Sequence, residues 1–375
     1  MRVAIPSTFP PYRGGIAAFN ASMTEAFEAA GHDVVRVSWA RQYPKLLFPG
    51  TSQWSPDSAV AFDTPDCPAL LDSIGPWTWR RAAESLTKSG TVDVLLVPFW
   101  HAFLAMASAG VIQHMRSMAT TPPKVIGLMH NAGSHDGPAV MEHLTRRFVR
   151  QLDEAWTLSA DVADRVKTIG LHDLHVKTLF HPLYSHFPEA PARAEALQTL
   201  RLPADAEVYL FFGLIRPYKG LQRLLQAWDV VAADRPQAHL VIAGECYGDF
   251  SAYQTAISSS PASTRIHVHN RFVPDAEVGT FFGAAQAVVL PYERASQSGV
   301  TAMALHYGLP TLASNVGGLA EYIQAGQTGE LFQAGVTTDL VSAWLKLASK
   351  VYPTSAFAQA RDKFSWSRFT AMGLG

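Results

Sequence analysis

The chain has 375 residues and a formal net charge of −1, with 30 Lys and Arg against 31 Asp and Glu. Apolar residues make up 48% and charged residues 16%, which excludes a disordered chain and provides for large cores. No block of Lys or Arg offers nucleic acid an electrostatic footprint, and the length, about two to three times that of a usual single domain, predicts two domains.

Short apolar runs alternate with helix-length segments along the chain, the pattern of an α/β protein with parallel sheets. Residues 2–6 read as the first strand and pass into Pro6-Ser7-Thr8, so no secretory signal is read there. Gly14-Gly15 follows in a turn, and 16–30 has helical periodicity ending at Gly31. Further strands are expected at 33–37, 92–99, 124–129 and 154–158. Residues 94–115 carry no Asp, Glu, Lys or Arg, but Pro98, His101, Ser108, Gly110, Gln113 and His114 interrupt the run. A buried strand followed by an apolar helix explains it better than a membrane span. Cys67 and Cys246 lie far apart with no metal-type spacing, as in a reduced, cytoplasmic protein.

The pattern restarts after 181–201, a stretch containing Pro182, Pro188 and Pro191 that reads as a linker. Strands are expected at 207–212, 239–243, 266–269, 287–290 and 311–313. The division expected is 1–182 as a first Rossmann-like domain, 183–352 as a second, and 353–375 as a terminal helix packing back on the first. Two such domains would face each other across a ligand-binding cleft.

The most informative stretch is Phe212-Gly213-Leu214-Ile215-Arg216-Pro217-Tyr218-Lys219-Gly220. An apolar strand runs into a glycine, and two cations follow just past its end, which suits an anion such as phosphate. Ser298-Gly299-Val300 stands where a helix should begin after the strand 287–290. Its amides and the positive end of the helix dipole would hold a diphosphate, although Ser298 could equally be an ordinary N-cap. Glu321, after Gly317-Gly318, could cap the next helix or accept sugar hydroxyls. His130 and His135, past the strand 124–129, could be structural, bond a substrate hydroxyl or assist proton transfer. There is no Walker A loop, no Gly-x-Gly-x-x-Gly and no Gly-x-Ser-x-Gly. With no Asp-x-Asp pair either, no metal is expected on a diphosphate, and no cofactor.

Gly-x-Ile-Arg-Pro-Tyr-Lys-Gly, Leu-Pro-Tyr with Ala-Ser-Gln-Ser-Gly-Val, and Asn-Val-Gly-Gly-Leu-x-Glu together resemble the retaining glycosyltransferases of family 4, with the GT-B fold. Pro-Pro-Tyr-Arg-Gly-Gly-Ile and His-Asn-x-x-x-His-Asp extend the resemblance over nearly the whole chain. It implies a metal-independent enzyme moving a hexose-type sugar from a nucleotide-diphosphate sugar to a glycan or lipid-linked acceptor. Arg216 and Lys219 would grip the donor diphosphate beside Gly213, and Ser298, Gly299 and Val300 would hold its distal phosphate. Gly15 would approach the same group, His130 would sit beside the transferred sugar, and Glu245 and Arg271 would line the nucleotide pocket.

Two departures stand out. Leu214 occupies the place where many members carry Arg, and Arg216 comes two residues later. Ala295 and Met303 occupy the two positions of a Glu-x7-Glu pair, with Glu293 two residues before the first. The rival reading is therefore a catalytically weak nucleotide-sugar-binding partner of another glycosyltransferase. The loop 41–50, which mixes basic and aromatic groups, could touch a lipid-linked glycan in a peripheral contact at the membrane surface, or simply pack.

Overall fold

The computed structural model describes residues 1–44, 53–54, 63–133, 139–169, 173–184 and 187–375. Residues 45–50 of the expected basic-aromatic loop, and His135, lie outside them. The chain forms two compact units, Met1–Phe180 with Trp366–Gly375, and His181–Ser365. The expected terminal piece 353–375 is thus divided, its first part staying with the second unit.

In the first unit the elements are β1 (Arg2–Pro6), α1 (Gly15–Ala29), β2 (Asp33–Arg41), β3 (Ala69–Asp72), α2 (Pro76–Thr87), β4 (Val94–Phe99), α3 (Ala105–Met118), β5 (Lys124–Met129), α4 (Ala139–Val149), β6 (Glu154–Thr157), α5 (Ala160–Ile169) and β7 (His175–Thr178). The strands form one parallel sheet in the order β3-β2-β1-β4-β5-β6-β7. Side chains alternate between the two faces of a strand, and both faces here are apolar. Ala4, Leu95, Val97 and Val125 point into one core, Val3, Ile5, Leu96 and Ile126 into the other. The first core takes its helical cover from Ala82, Leu86 and Val111. The second takes it from Phe19, Met23 and Phe27 of α1 and from Phe369. Sheets covered on both sides need such near-continuous apolar strands, and that is why β1, β4 and β5 were legible.

The second unit runs α6 (Arg193–Thr199), β8 (Glu207–Phe212), α7 (Leu221–Asp234), β9 (Ala238–Ala243), α8 (Ser251–Ser259), β10 (Ile266–His269), α9 (Asp275–Ala284), β11 (Ala287–Leu290), α10 (Gly299–His306), β12 (Thr311–Ser314), β13 (Gly329–Phe332), α11 (Thr337–Ala348) and α12 (Thr354–Lys363). A last helix, α13 (Trp366–Leu374), returns to the first unit. There Phe369, fully buried, meets Phe19 of α1 and Trp156 of β6 edge-on. The expected linker 181–201 is not all linker, since α6 begins after Pro191 and Arg193 bonds the Ala206 carbonyl at 2.7 Å. Among the described residues no helix is long and apolar enough to cross a membrane.

The second sheet is also parallel, in the order β10-β9-β8-β11-β12-β13. On its β10 side, His239 and His267 stack at 5.2 Å and share a ring-nitrogen hydrogen bond of 2.9 Å. Burial, then the neighbouring His239 and His269, pushes the His267 value down from 6.5 to about 4. Burial and Arg265 lower that of His239, which Asp205 opposes. A histidine held neutral by folding gives stability that is complete above its unfolded value and lost as pH falls through its folded one. The urea midpoint of the second unit should therefore drop between about pH 6.5 and about pH 4, and His267→Gln should flatten that decline. An identical slope in the variant would clear the pair of responsibility.

Candidate functional site

Strand order reverses between β8 and β11, which pair directly through Tyr209 and Ala287. In an open parallel sheet the crevice beyond such a reversal, at the carboxyl ends of the strands, is where ligands bind. The loops leaving these two strands carry the residues singled out by sequence. β8 keeps contact with the β9 loop past its end: Gly213 N–H donates to Ala243 O and Ile215 N–H to Glu245 O, each at 2.9 Å. Pro217–Lys219 then forms one 3-10 turn closed by Gly220 in the left-handed conformation, φ 72. A Cβ on Gly220 would lie 1.9 Å from the Pro291 carbonyl oxygen, so the turn can rest on the β11 loop only as glycine. Glu293 N–H, donating to Tyr218 O at 2.8 Å, joins the same two segments.

This apposition brings together the side chains expected to hold phosphate. A Cβ on Gly213 would stand 3.4 Å from Lys219 Nζ and 3.4 Å from Val300 Cγ2. The Lys219 ammonium lies 5.2 Å from the ring centroid of buried Tyr292. The Tyr292 hydroxyl is 3.5 Å from Ser298 Oγ, and its carbonyl accepts from Ser314 Oγ at 2.5 Å. Ser298 occupies the N-cap of α10, and its hydroxyl makes no side-chain capping bond there. Gly318 N–H donates to Ser296 O at 3.1 Å and folds the third loop against the second. Arg216 is half-buried, its guanidinium 4.7 Å from the Tyr247 ring.

Other candidates are placed differently. Glu321 is exposed, fifth of six residues in a 3-10 turn whose N-cap is Val316, which corrects the capping alternative. Arg271 is exposed and held by Glu277 of α9, with Nη1 3.1 Å from Oε1. Glu245 is half-buried beside Ile215. Leu214 is 38% exposed. Of the positions where the family has glutamates, Met303 is buried inside α10 and Ala295 half-buried; Glu293 is exposed and 3.4 Å from Arg223.

In the first unit α1 starts at Gly15 behind Gly14, whose φ of 103 only glycine takes readily. Phe19, one turn further on, meets His130 edge-on at 4.8 Å. His130 is buried at the end of β5, its N–H donating to Phe99 O at 2.9 Å. Sequence reasoning gave no role to Tyr247 or Tyr292; the signal available was an aromatic one or two residues beyond a strand-end Pro or Gly-Glu pair.

Solved structures resemble the chain over nearly its whole length. Sucrose-phosphate synthase from Thermosynechococcus elongatus matches with a TM-score of 0.73 at 16% identity, covering 99% of this chain and 96% of that one. HepE from Anabaena in complex with UDP-glucose matches with a TM-score of 0.71 at 14% identity, covering 98% and 97%. At such identities the likeness speaks for the fold, and the fold is GT-B. Residues 206–350 match the family model described as Glycosyl transferases group 1. The D-inositol 3-phosphate glycosyltransferase of Thermobispora bispora is 33% identical over 295 residues, 72% of this chain and 65% of that protein. Its Mycobacterium bovis counterpart is 29% identical over 328 residues, 82% and 65%. The chain spans 65% or less of the length of these curated relatives. The chain has the GT-B fold, with a segment matching Glycosyl transferases group 1 in its second unit.

The Gly220 contact is testable without substrate. Gly220→Ala adds a Cβ against a backbone carbonyl at a positive φ, and such a change costs more than about 1 kcal/mol. Urea unfolding should show that loss, and a variant as stable as the parent would mean that turn and loop are not in contact.

Proposed function

We propose that this protein is a retaining, metal-independent family 4 glycosyltransferase that moves a hexose-type sugar from a nucleotide-diphosphate sugar to a glycan or lipid-linked acceptor. The observation that carries this reading is the meeting of Lys219 and Val300 beside Gly213. It joins a cation and the start of a helix at the reversal point of the sheet, the two features that hold a diphosphate. A structural neighbour adds support, since HepE from Anabaena was solved with UDP-glucose.

Transfer begins as the bond from the anomeric carbon to the diphosphate oxygen lengthens and the sugar gains oxocarbenium character. Negative charge grows on the leaving diphosphate. Lys219 and the first-turn amides of α10 stabilise that charge more in the transition state than in the ground state, which is what accelerates the step. An oxygen of the departing phosphate takes the acceptor hydroxyl proton on the same face, and the new glycosidic bond keeps the configuration. Arg216 adds a second positive charge from its place on Tyr247.

One observation favours a second reading, a nucleotide-sugar-binding partner without turnover. Met303 is buried, Ala295 has no polar group, and Glu293 is engaged by Arg223, so no glutamate stands where many members have two. Incubation with UDP-, GDP- and ADP-hexoses, with D-inositol 3-phosphate among the acceptors, separates the readings. Transfer with a retained anomer by NMR supports the enzyme; calorimetric donor binding with neither transfer nor hydrolysis supports the partner. In the enzyme, Lys219→Ala should lower turnover at saturating donor by about 10²- to 10³-fold. Unchanged turnover would remove Lys219 from the mechanism.

A further inference from the structure

Gly299, the first residue of α10, is not at a positive φ, so its backbone does not call for glycine. Its surroundings do. A Cβ there would lie 2.7 Å from the Tyr184 hydroxyl oxygen and 3.1 and 3.3 Å from two ring carbons. Tyr184 therefore fills the space in which a side chain at 299 would stand.

Tyr184 is itself firmly held. It is 5% exposed, and its hydroxyl is 3.2 Å from His181 Nε2. His181 Nδ1 lies 2.7 Å from the Pro182 carbonyl oxygen; a carbonyl only accepts, so Nδ1 carries the proton and Nε2 accepts from Tyr184. Burial pushes the His181 value down to about 4, which keeps the ring neutral and this tautomer in place. The His181 backbone N–H donates to the Tyr322 hydroxyl, and Tyr322 packs on Phe364 at 4.6 Å between centroids. Leu183 N–H closes the group by donating to Phe364 O at 3.0 Å.

We propose that Tyr184, oriented by His181, is a positioning residue that sets the N-terminus of α10 and hence the aim of its amides at the donor diphosphate. The inference rests on the phosphate reading of that helix end. α10 has only eight residues, so its own turns hold its start weakly, and a displacement near 1 Å at such a site costs about 10²-fold in rate. The support works through Gly299, and the ring that supplies it is itself buried.

A double-mutant cycle decides the matter, read as UDP, GDP, ADP and inorganic pyrophosphate affinity by calorimetry with melting temperature in parallel. Gly299→Ala should weaken the best of these ligands at least about tenfold. In a Tyr184→Leu background the same substitution should cost less than about threefold, because the obstructing ring is gone. Tyr184→Phe, which removes only the atom at 2.7 Å, should relieve part of the loss and serves where the leucine variant fails to fold. Equal losses in all backgrounds would overturn the inference, as would coupling confined to the melting temperature, the mark of a packing contact only. Failure of the parent protein to bind any of the four ligands would instead sink the phosphate reading, and the inference with it.

Discussion

Gly213 has no side chain, and two groups from different loops use the space beside it. Lys219 arrives from the turn after β8, Val300 from the helix after β11. The approach is possible because a second glycine, Gly220, lies against the Pro291 carbonyl where a Cβ would not fit. These contacts are backbone to backbone or backbone to side chain, so they depend on the sheet that sets β8 beside β11. The core beneath, with Tyr209, Phe211 and Val289 buried, is what fixes the separation of the two loops. Fully burying such side chains contributes about 1.5–3 kcal/mol each, enough to make the loop geometry a consequence of the fold.

Much of this was legible in the sequence. The strands at the middle of each sheet are buried on both faces, so their apolar runs stand out whatever packs on them, and the loops proposed to hold the anion follow them directly. The strands that escaped are β3, β7 and β13. Each has four residues and a single hydrogen-bonded neighbour. β7 reads His-Val-Lys-Thr and is half-exposed. In β13 the run is broken by Glu330, which is 2% exposed and paired with Lys346 at 2.7 Å. A buried carboxylate answered by a distant lysine has no local signature. The same limit hid Tyr184: nothing near position 184 says that it will stand against position 299. Arg271, which the resemblance put beside the nucleotide, is paired with Glu277 in the first turn of α9, a contact the sequence reading did not foresee.

Under the proposed function, the aromatic residues around the site let a nearly neutral chain keep charge ready for an anion. Arg223 and Arg271 are paired with Glu293 and Glu277, and a cation so paired has little left for a ligand. Among the described residues Arg216 and Lys219 have no carboxylate partner; they lie on the rings of Tyr247 and Tyr292. A ring face attracts a cation by about 0.5–2 kcal/mol, enough to orient it, without cancelling its charge. Two carboxylates in place of these rings would fix the same geometry and would have to be displaced, or left beside the incoming phosphates at like-charge cost. Cations on rings, glycines against backbone and the proposed support of a helix end by Tyr184 thus answer one requirement of the proposed function. The anion must meet positive groups that are already in position and not already neutralised, because only such groups can respond to charge that appears during the reaction.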